Sequence, residues 1–168
     1  MARKYAAEKH AADPSLQLGN QLCFAIYSTA HAFNRVYKPL LDRLGLTYPQ
    51  YLVMLALWDN AKSGDDPLSV KDIAGLLQLD SATLSPMLKR LQSQGLITRS
   101  RSAADERTTQ VELTPKGSDL RRQALKIPPA VVERLDVDLA ALEHLHDVLT
   151  RINAAALAAG ALDAELDK

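Results

Sequence analysis

The sequence has little cysteine, few aromatic residues, no net charge and no long apolar run. Its 168 residues include one cysteine, Cys23, and 5% are aromatic. A single cysteine excludes an internal disulfide. No apolar stretch approaches the roughly 18 to 20 residues that span a bilayer, and residues 1–14 lack the apolar core of a signal peptide. We therefore expect a cytoplasmic protein without a membrane partner.

Metal and catalytic signatures are also missing. The four histidines, His10, His31, His144 and His146, are not spaced with the cysteine or with clustered carboxylates as metal ligands are. There is no Ser/His/Asp order, no glycine-rich phosphate loop and no CxxC pair. We predict no metal, no cofactor and no enzymatic activity.

The zero net charge conceals a basic middle and an acidic end. From Ser81 to Arg107 the only acids are Asp105 and Glu106, against the bases Lys89, Arg90, Arg99, Arg101 and Arg107. From Glu133 onward acids outnumber bases. A nucleic-acid partner is therefore expected at the middle of the chain.

Apolar spacing predicts a mainly α protein with a small β hairpin, of the α+β class. The first helix is predicted from about Ser15 to Leu44, bent near Pro39, and the second from Thr47 to about Asn60. The stretch Ala61–Pro67 has the composition of a loop.

A helix-turn-helix and a wing are predicted next. One helix spans Val70–Leu77 behind a capping box of Ser69 and Asp72, and the next spans Ser81–Gln94 between Asp80 and Gly95. The strands Leu96–Ser100 and Gln110–Leu113 then enclose a polar tip, Arg101–Thr109.

Helices are expected again after the wing. Thr114 and Pro115 restart a helix to about Lys126, Pro128 and Pro129 interrupt it, and a last amphipathic helix follows from Leu139. We predict a mobile segment over residues 1–14 and a single domain over 15–168. Within it, residues 46–117 form the winged helix-turn-helix, and 15–45 and 118–168 are dimerisation helices.

The helix from Ser81 has the side chains that a major-groove helix needs. Short polar groups near its start suit base edges and cations along its flank suit phosphates: Ser81, Thr83, Ser85, Lys89 and Arg90. On the hairpin, Arg101 and Arg107 suit the minor groove, with Asp105 orienting Arg107 through a charge-assisted pair. Two such modules are expected on double-stranded DNA with a palindromic site, which requires a homodimer.

Cys23 shares a helix face with two tyrosines. At about 100° per residue, Tyr27 and Tyr37 fall within about 40° of the line through Cys23. Tyr37 lies about 21 Å away along the axis, so a contact requires a sharp bend or an antiparallel helix from a second subunit. Tyr48 is able to approach in the same way, and Tyr27 is the local candidate. Phenolic hydroxyls stabilise a thiolate, which is the form that attacks peroxides.

Two segments resemble a known family. The segments LCFAIYSTAHAFNRVYKPLLDRLGLTYPQYLVMLALW and LDSATLSPMLKRLQSQGLITRSRSAADERTTQVELTPKG resemble MarR-type regulators, in particular the organic-hydroperoxide-responsive repressors of the one-cysteine type. The similarity covers about Gln21 to Leu125. The Lys62–Asp66 stretch resembles an insertion relative to that family, and no second cysteine lies near the C-terminus.

The resemblance implies a repressor that senses organic hydroperoxides at Cys23 and then releases its operator. It also implies that Tyr37 and Tyr48 hydrogen-bond the reactive sulfur. From the chemistry of cysteine, oxidation to a sulfenic acid is expected to be followed by a mixed disulfide with a small thiol or by over-oxidation. Two alternatives stay open from the residues. One is a MarR-type repressor of a small phenolic ligand in which Cys23 is structural, and the other is a thiol peroxidase.

Overall fold

The computed structural model describes residues 16–64, 66–102, 105 and 107–166, with residues 161–166 described by their backbone alone. It is mainly helical with a small antiparallel sheet, which confirms the predicted fold class. The chain divides into two compact units, Met1–Ile127 and Pro128–Lys168. The predicted mobile segment, residues 1–14, lies outside the described residues.

The first helix is shorter than predicted. A 3-10 turn over Leu18–Asn20 precedes helix α1, Leu22–Leu41, and a second 3-10 turn spans Asp42–Leu44. Gln21 separates the first turn from α1 because its backbone is extended, with φ −85° and ψ 123°. The prediction of one helix from Ser15 to Leu44 was therefore wrong at its start.

The second helix is longer than predicted. Helix α2 spans Tyr48–Ser63, and the side chain of Gln50 accepts a hydrogen bond from the backbone N–H of Thr47 at 2.9 Å. It continues three residues past Asn60 and stops at Gly64, whose φ of 74° is the left-handed conformation that glycine tolerates. The loop predicted over Ala61–Pro67 was therefore wrong for its first three residues.

The helix-turn-helix is confirmed with its caps. Helix α3 spans Val70–Leu77, and its capping box joins Ser69 and Asp72 by two reciprocal bonds of 2.9 and 3.1 Å. Helix α4 spans Ser81–Ser93, and Gly95 follows it with φ 71°.

The wing contains one more strand than predicted. The strands β1, Leu68–Ser69, β2, Ile97–Arg101, and β3, Thr109–Leu113, pair antiparallel in the order β1-β3-β2. Arg101 pairs with Thr109 inside the sheet, so the prediction that both belong to the polar tip was wrong.

Three helices follow the wing in the described residues: α5, Pro115–Ala124, α6, Ile127–Leu135, and α7, Leu139–Leu166. Pro128 and Pro129 lie in the first turn of α6, where the missing N–H costs no helical bond. They start a helix after a short break, and the prediction that they only interrupt one was incomplete.

The core of the first unit lies where α2, α3, α4 and the sheet meet. Its fully buried side chains include Leu41, Val53, Met54, Ile73, Leu84, Leu88, Leu91, Ile97 and Val111. Helix α5 packs closely against this core, because a Cβ on Gly117 would collide with the carbonyl oxygen of Leu96. Trp58 Nε1 donates to the carbonyl of Gly117 at 2.9 Å, which fixes α5 against α2.

Candidate DNA interface and sensor site

Helix α4 buries one face and exposes the other. Leu84, Leu88 and Leu91 are each 0% exposed and face the core. The residues predicted to contact DNA are less buried, since Ser81, Thr83, Lys89 and Arg90 are exposed and Ser85 is half-buried. The hydrophobic period of the helix therefore sets which side chains face outward.

The start of α4 is fixed by Asp80. Its Oδ1 accepts from the backbone N–H of Thr83 at 2.6 Å and its Oδ2 from the Thr83 hydroxyl at 3.0 Å. These bonds to the charged form hold the pKa of Asp80 below its usual value. Thr83 therefore takes part in the cap, in addition to the DNA contact predicted for it.

The tip of the wing is organised by Asp105. Its Oδ1 accepts from the backbone N–H of Arg107 at 3.0 Å and its Oδ2 from the Thr108 hydroxyl at 2.9 Å. These bonds lower the pKa of the Asp105 carboxyl. Asp105 thus shapes the turn that presents Arg107, whereas the predicted ion pair between their side chains is not formed among the described residues.

A groove of about 470 Å³ separates α4 from the wing. Of the residues predicted to contact DNA, it brings Ser81, Ser85 and Arg107 together. Thr83, Lys89, Arg90 and Arg101 do not line it. The remaining lining residues are Ser69, Val70, Lys71, Leu88, Arg99, Thr108 and Thr109. The lining has cations and hydroxyls, and none of the described residues that line it is a carboxylate, so the groove suits an anion.

Sequence reasoning missed several residues of this groove. Lys71 and Arg99 carry its other positive charges, and Thr108 and Thr109 supply hydroxyls. The position of Arg99 in the basic middle of the chain was a usable signal. For Lys71 the signal was absent, because only the pairing of β1 with β3 places the start of α3 beside the wing.

Cys23 lies in the first turn of α1 and is exposed. One turn later Tyr27 is 62% exposed and contacts His31 edge to face, with ring centroids 4.4 Å apart. Tyr37 is on the same unbroken helix, fourteen residues from Cys23, which is about 21 Å along the axis. The structure therefore does not bring Tyr37 to the cysteine of its own chain.

Tyr37 instead belongs to an aromatic cluster between α1 and α2. Its ring lies 5.0 Å from Tyr48, 6.2 Å from Tyr51 and 6.4 Å from Phe33. Burial raises the pKa of Tyr37, and the neighbouring Tyr48 raises it further. Burial likewise raises the pKa of Tyr48 and Tyr51. Their phenols therefore stay protonated and able to donate.

The start of α1 exposes apolar side chains. Leu22 is 61% exposed, Phe24 36% and Ile26 42%, and Leu18 before the helix is 61% exposed. Side chains of this kind on one segment mark an interaction surface. Cys23 lies in the middle of it.

Other kinds of site are not found in the described part of the chain. No group of three or more metal-binding side chains occurs there. None of its helices combines the length and apolar character that crossing a bilayer requires.

Known proteins resemble the chain over most of its length. A family model described as transcriptional regulator SarA/Rot matches residues 35–123. The chain is 47% identical over 117 residues to the organic hydroperoxide resistance transcriptional regulator of Bacillus subtilis (strain 168), covering 70% of this chain and 76% of that protein. It is 45% identical over 129 residues to the HTH-type transcriptional regulator TtmR of Methylorubrum extorquens (strain PA1), covering 77% of this chain and 64% of that protein.

A solved structure shares the fold. Reduced AbfR bound to DNA, from Staphylococcus epidermidis, aligns with a TM-score of 0.64 at 32% identity, covering 83% of this chain and 98% of that chain. AbfR has also been solved in an overoxidized form bound to DNA, which aligns with a TM-score of 0.61. The two curated relatives are transcriptional regulators.

Proposed function

Because the chain belongs to the MarR family of winged-helix, DNA-binding transcriptional regulators, we propose that it is a homodimeric repressor that releases its operator when an organic hydroperoxide oxidises Cys23. The observation that carries this proposal is the position of Cys23 on an exposed apolar surface, far from the tyrosine pair of its own chain.

The DNA contacts follow from the two faces of α4. We place its outward face, with Ser81, Ser85, Lys89 and Arg90, in the major groove, and Arg107 at the tip of the wing in the adjacent minor groove. Thr83 and Arg101 complete the proposed set. The groove between α4 and the wing then faces the phosphate backbone, which matches its lining of cations and hydroxyls.

The dimer follows from the exposed start of α1. Leu22, Phe24 and Ile26 remain in water in a single chain, and a second copy packed antiparallel along α1 removes them from it. Two-fold symmetry then places the start of one α1 beside the end of the other. Cys23 of each chain thereby approaches Tyr37 and Tyr48 of its partner.

That arrangement completes a sensor site. Two phenols kept protonated by burial donate hydrogen bonds to the Cys23 sulfur, and Tyr27 donates from one turn along the same helix. Hydrogen bonds to a thiolate favour the charged form, which is the nucleophile. Phe24 and Ile26 beside the sulfur favour an organic peroxide over hydrogen peroxide.

The chemistry needs only the peroxide and a small thiol. The Cys23 thiolate attacks one peroxide oxygen, a sulfur–oxygen bond forms, the O–O bond breaks, and the alkoxide leaves as an alcohol after taking a proton. Cysteine is oxidised to the sulfenic acid and the peroxide is reduced. A small thiol then condenses with the sulfenic acid, giving a mixed disulfide and water.

Oxidation of Cys23 changes DNA binding by altering the dimer interface. The added oxygen or thiol places bulk and polarity in the apolar seam between the two copies. The two α4 helices then lose the spacing of about 34 to 36 Å that consecutive major grooves require.

The experiment is a gel shift on the promoter fragment beside the gene, with and without cumene hydroperoxide and a small thiol, paired with intact mass. We expect release together with added mass on Cys23, and neither in Cys23→Ser, which should bind DNA as the wild type does. Release by Cys23→Ser, or release of wild type without added mass, would contradict oxidation sensing and favour a reversible phenolic ligand. Repeated peroxide turnover without DNA binding would favour the thiol peroxidase.

A further inference from the structure

Arg99 lies in the groove between α4 and the wing, on the inner face of β2. Alternate residues of a strand share a face, so Arg99 shares one with Ile97, which is 1% exposed. Its cross-strand partner on β3 is the buried Val111. The side chain is therefore directed along α4, where it lines the groove with Ser85 and Leu88.

The guanidinium of Arg99 is held by the last turn of α4. Its Nε donates to Oε1 of Gln92 at 2.7 Å. Among the described residues, this is the hydrogen bond that the Arg99 side chain makes, and the Arg99 side chain takes part in no ion pair. The two terminal nitrogens of the guanidinium are therefore available to an anion, and none of the described residues that line the groove is a carboxylate that would neutralise them.

We propose that Arg99 binds a DNA phosphate in this groove and that Gln92 is a positioning residue that holds its guanidinium for that contact. The proposal rests on DNA binding by the winged unit and is independent of Cys23. A guanidinium matches a phosphate through two parallel N–H donors, and a fork fixed at Nε keeps both pointing one way. The same hydrogen bond joins the end of α4 to β2. It therefore fixes the angle at which α4 and the wing approach the DNA backbone.

The test measures the affinity for the promoter fragment of the reduced protein at several salt concentrations. Arg99→Ala should weaken binding about tenfold and lower the salt slope by about 0.9 per subunit, because one phosphate contact is lost. Arg99→Lys should keep the slope and lose part of the affinity. The matched control is Arg122→Ala, which removes one positive charge outside the groove and should change neither quantity.

The role of Gln92 is tested by a double-mutant cycle. Gln92→Ala should weaken binding about threefold in the wild-type background and have no effect in Arg99→Ala, because it acts only through Arg99. An Arg99→Ala variant that binds like Arg122→Ala overturns the phosphate contact. An equal loss from Gln92→Ala in both backgrounds overturns the positioning role.

The outcomes separate this proposal from the proposed function. Thermal unfolding verifies that the variants are folded, and Arg99→Lys carries the test if Arg99→Ala is not. If wild-type protein fails to bind the fragment at any salt concentration, DNA binding there fails and the phosphate contact with it. If it binds but ignores peroxide, only the sensor proposal fails.

Discussion

Helices α1 and α4 both carry large apolar and aromatic side chains, but those at the start of α1 and those of α4 lie in opposite environments. Leu84, Leu88 and Leu91 on α4 are each 0% exposed, whereas Leu22 and Tyr27 on α1 are 61% and 62% exposed. The recognition helix completes its packing within one chain. The start of α1 does not, and its apolar side chains can be buried only against a surface outside the described contacts of this chain.

This difference separates the two parts of the proposed mechanism. The groove beside α4 brings its hydroxyls and cations together in a single copy. The proposed sensor site is split, because Cys23 lies at the start of α1 whereas Tyr37 lies towards its end and contacts Tyr48 of α2. DNA recognition is therefore built into each chain, and peroxide sensing is expected to depend on the dimer.

The largest change in stability is expected from a substitution that disrupts the packing of α4. Leu88→Ala should lower the free energy of unfolding by about 2 to 5 kcal/mol, because it leaves a cavity in a fully buried site. Leu22→Ala should instead weaken the dimer, so that its loss of stability relative to wild type depends on protein concentration. Urea denaturation at several concentrations distinguishes them, and equal, concentration-independent losses would refute the contrast.

A smaller loss is expected from crowding α5. Gly117→Ala should destabilise the protein by about 1 to 3 kcal/mol, since the new methyl group meets the carbonyl of Leu96. Gly75→Ala on α3 is the matched control, because nothing lies within 4 Å of its added Cβ. It should stabilise by about 0.4 to 1 kcal/mol. If thermal melts show the same change in both variants, α5 is not closely packed there.

The wing should affect affinity without affecting stability. Arg107→Ala should weaken DNA binding by about 1 to 3 kcal/mol, because its exposed guanidinium is presented by the Asp105 turn. Fluorescence anisotropy measures the loss, with Arg43→Ala as a charge-matched control on the 3-10 turn after α1. Unchanged affinity and salt slope would remove Arg107 from the interface.

The smallest effect concerns the tyrosine cluster at alkaline pH. The pKa values of Tyr37, Tyr48 and Tyr51 lie above 10.0, so the folded state binds these protons more tightly than the unfolded state. Their contribution is fully present below pH 10 and is lost as the pH rises through the raised values. Tyr37→Phe should therefore reduce the fall in the free energy of unfolding as the pH rises above 10. An identical fall in both proteins would contradict this assignment.

The sequence predicted the elements whose signals are local. The caps at Ser69 and Asp80 and the left-handed Gly95 lie where side-chain chemistry placed them. The errors arose where local signals compete. The apolar spacing continues on both sides of Gln21, although the extended backbone of this residue interrupts the helix there. Helix α2 runs past Asn60 and ends only at Gly64.

The site was predictable only in part, because tertiary contacts complete it. Ser81, Ser85 and Arg107 were identified from type and spacing and meet at one groove. Lys71 joins them only because the two-residue strand β1 pairs with β3, and so short a strand has no distinct pattern. The ion pair expected of Asp105 failed because two nearer donors satisfy its carboxylate.

The most direct measurement of the central claim is cross-linking between Cys23 and a cysteine at position 37. The two positions lie about 21 Å apart on one helix, so a bis-maleimide of much shorter reach can join them only between chains. If the sensor site is shared between subunits, Tyr37→Cys should yield a covalent dimer on a denaturing gel, whereas wild type and the Cys23→Ser/Tyr37→Cys variant should yield far less. Cross-linking of Tyr37→Cys no greater than in those two controls would contradict a sensor site shared between subunits.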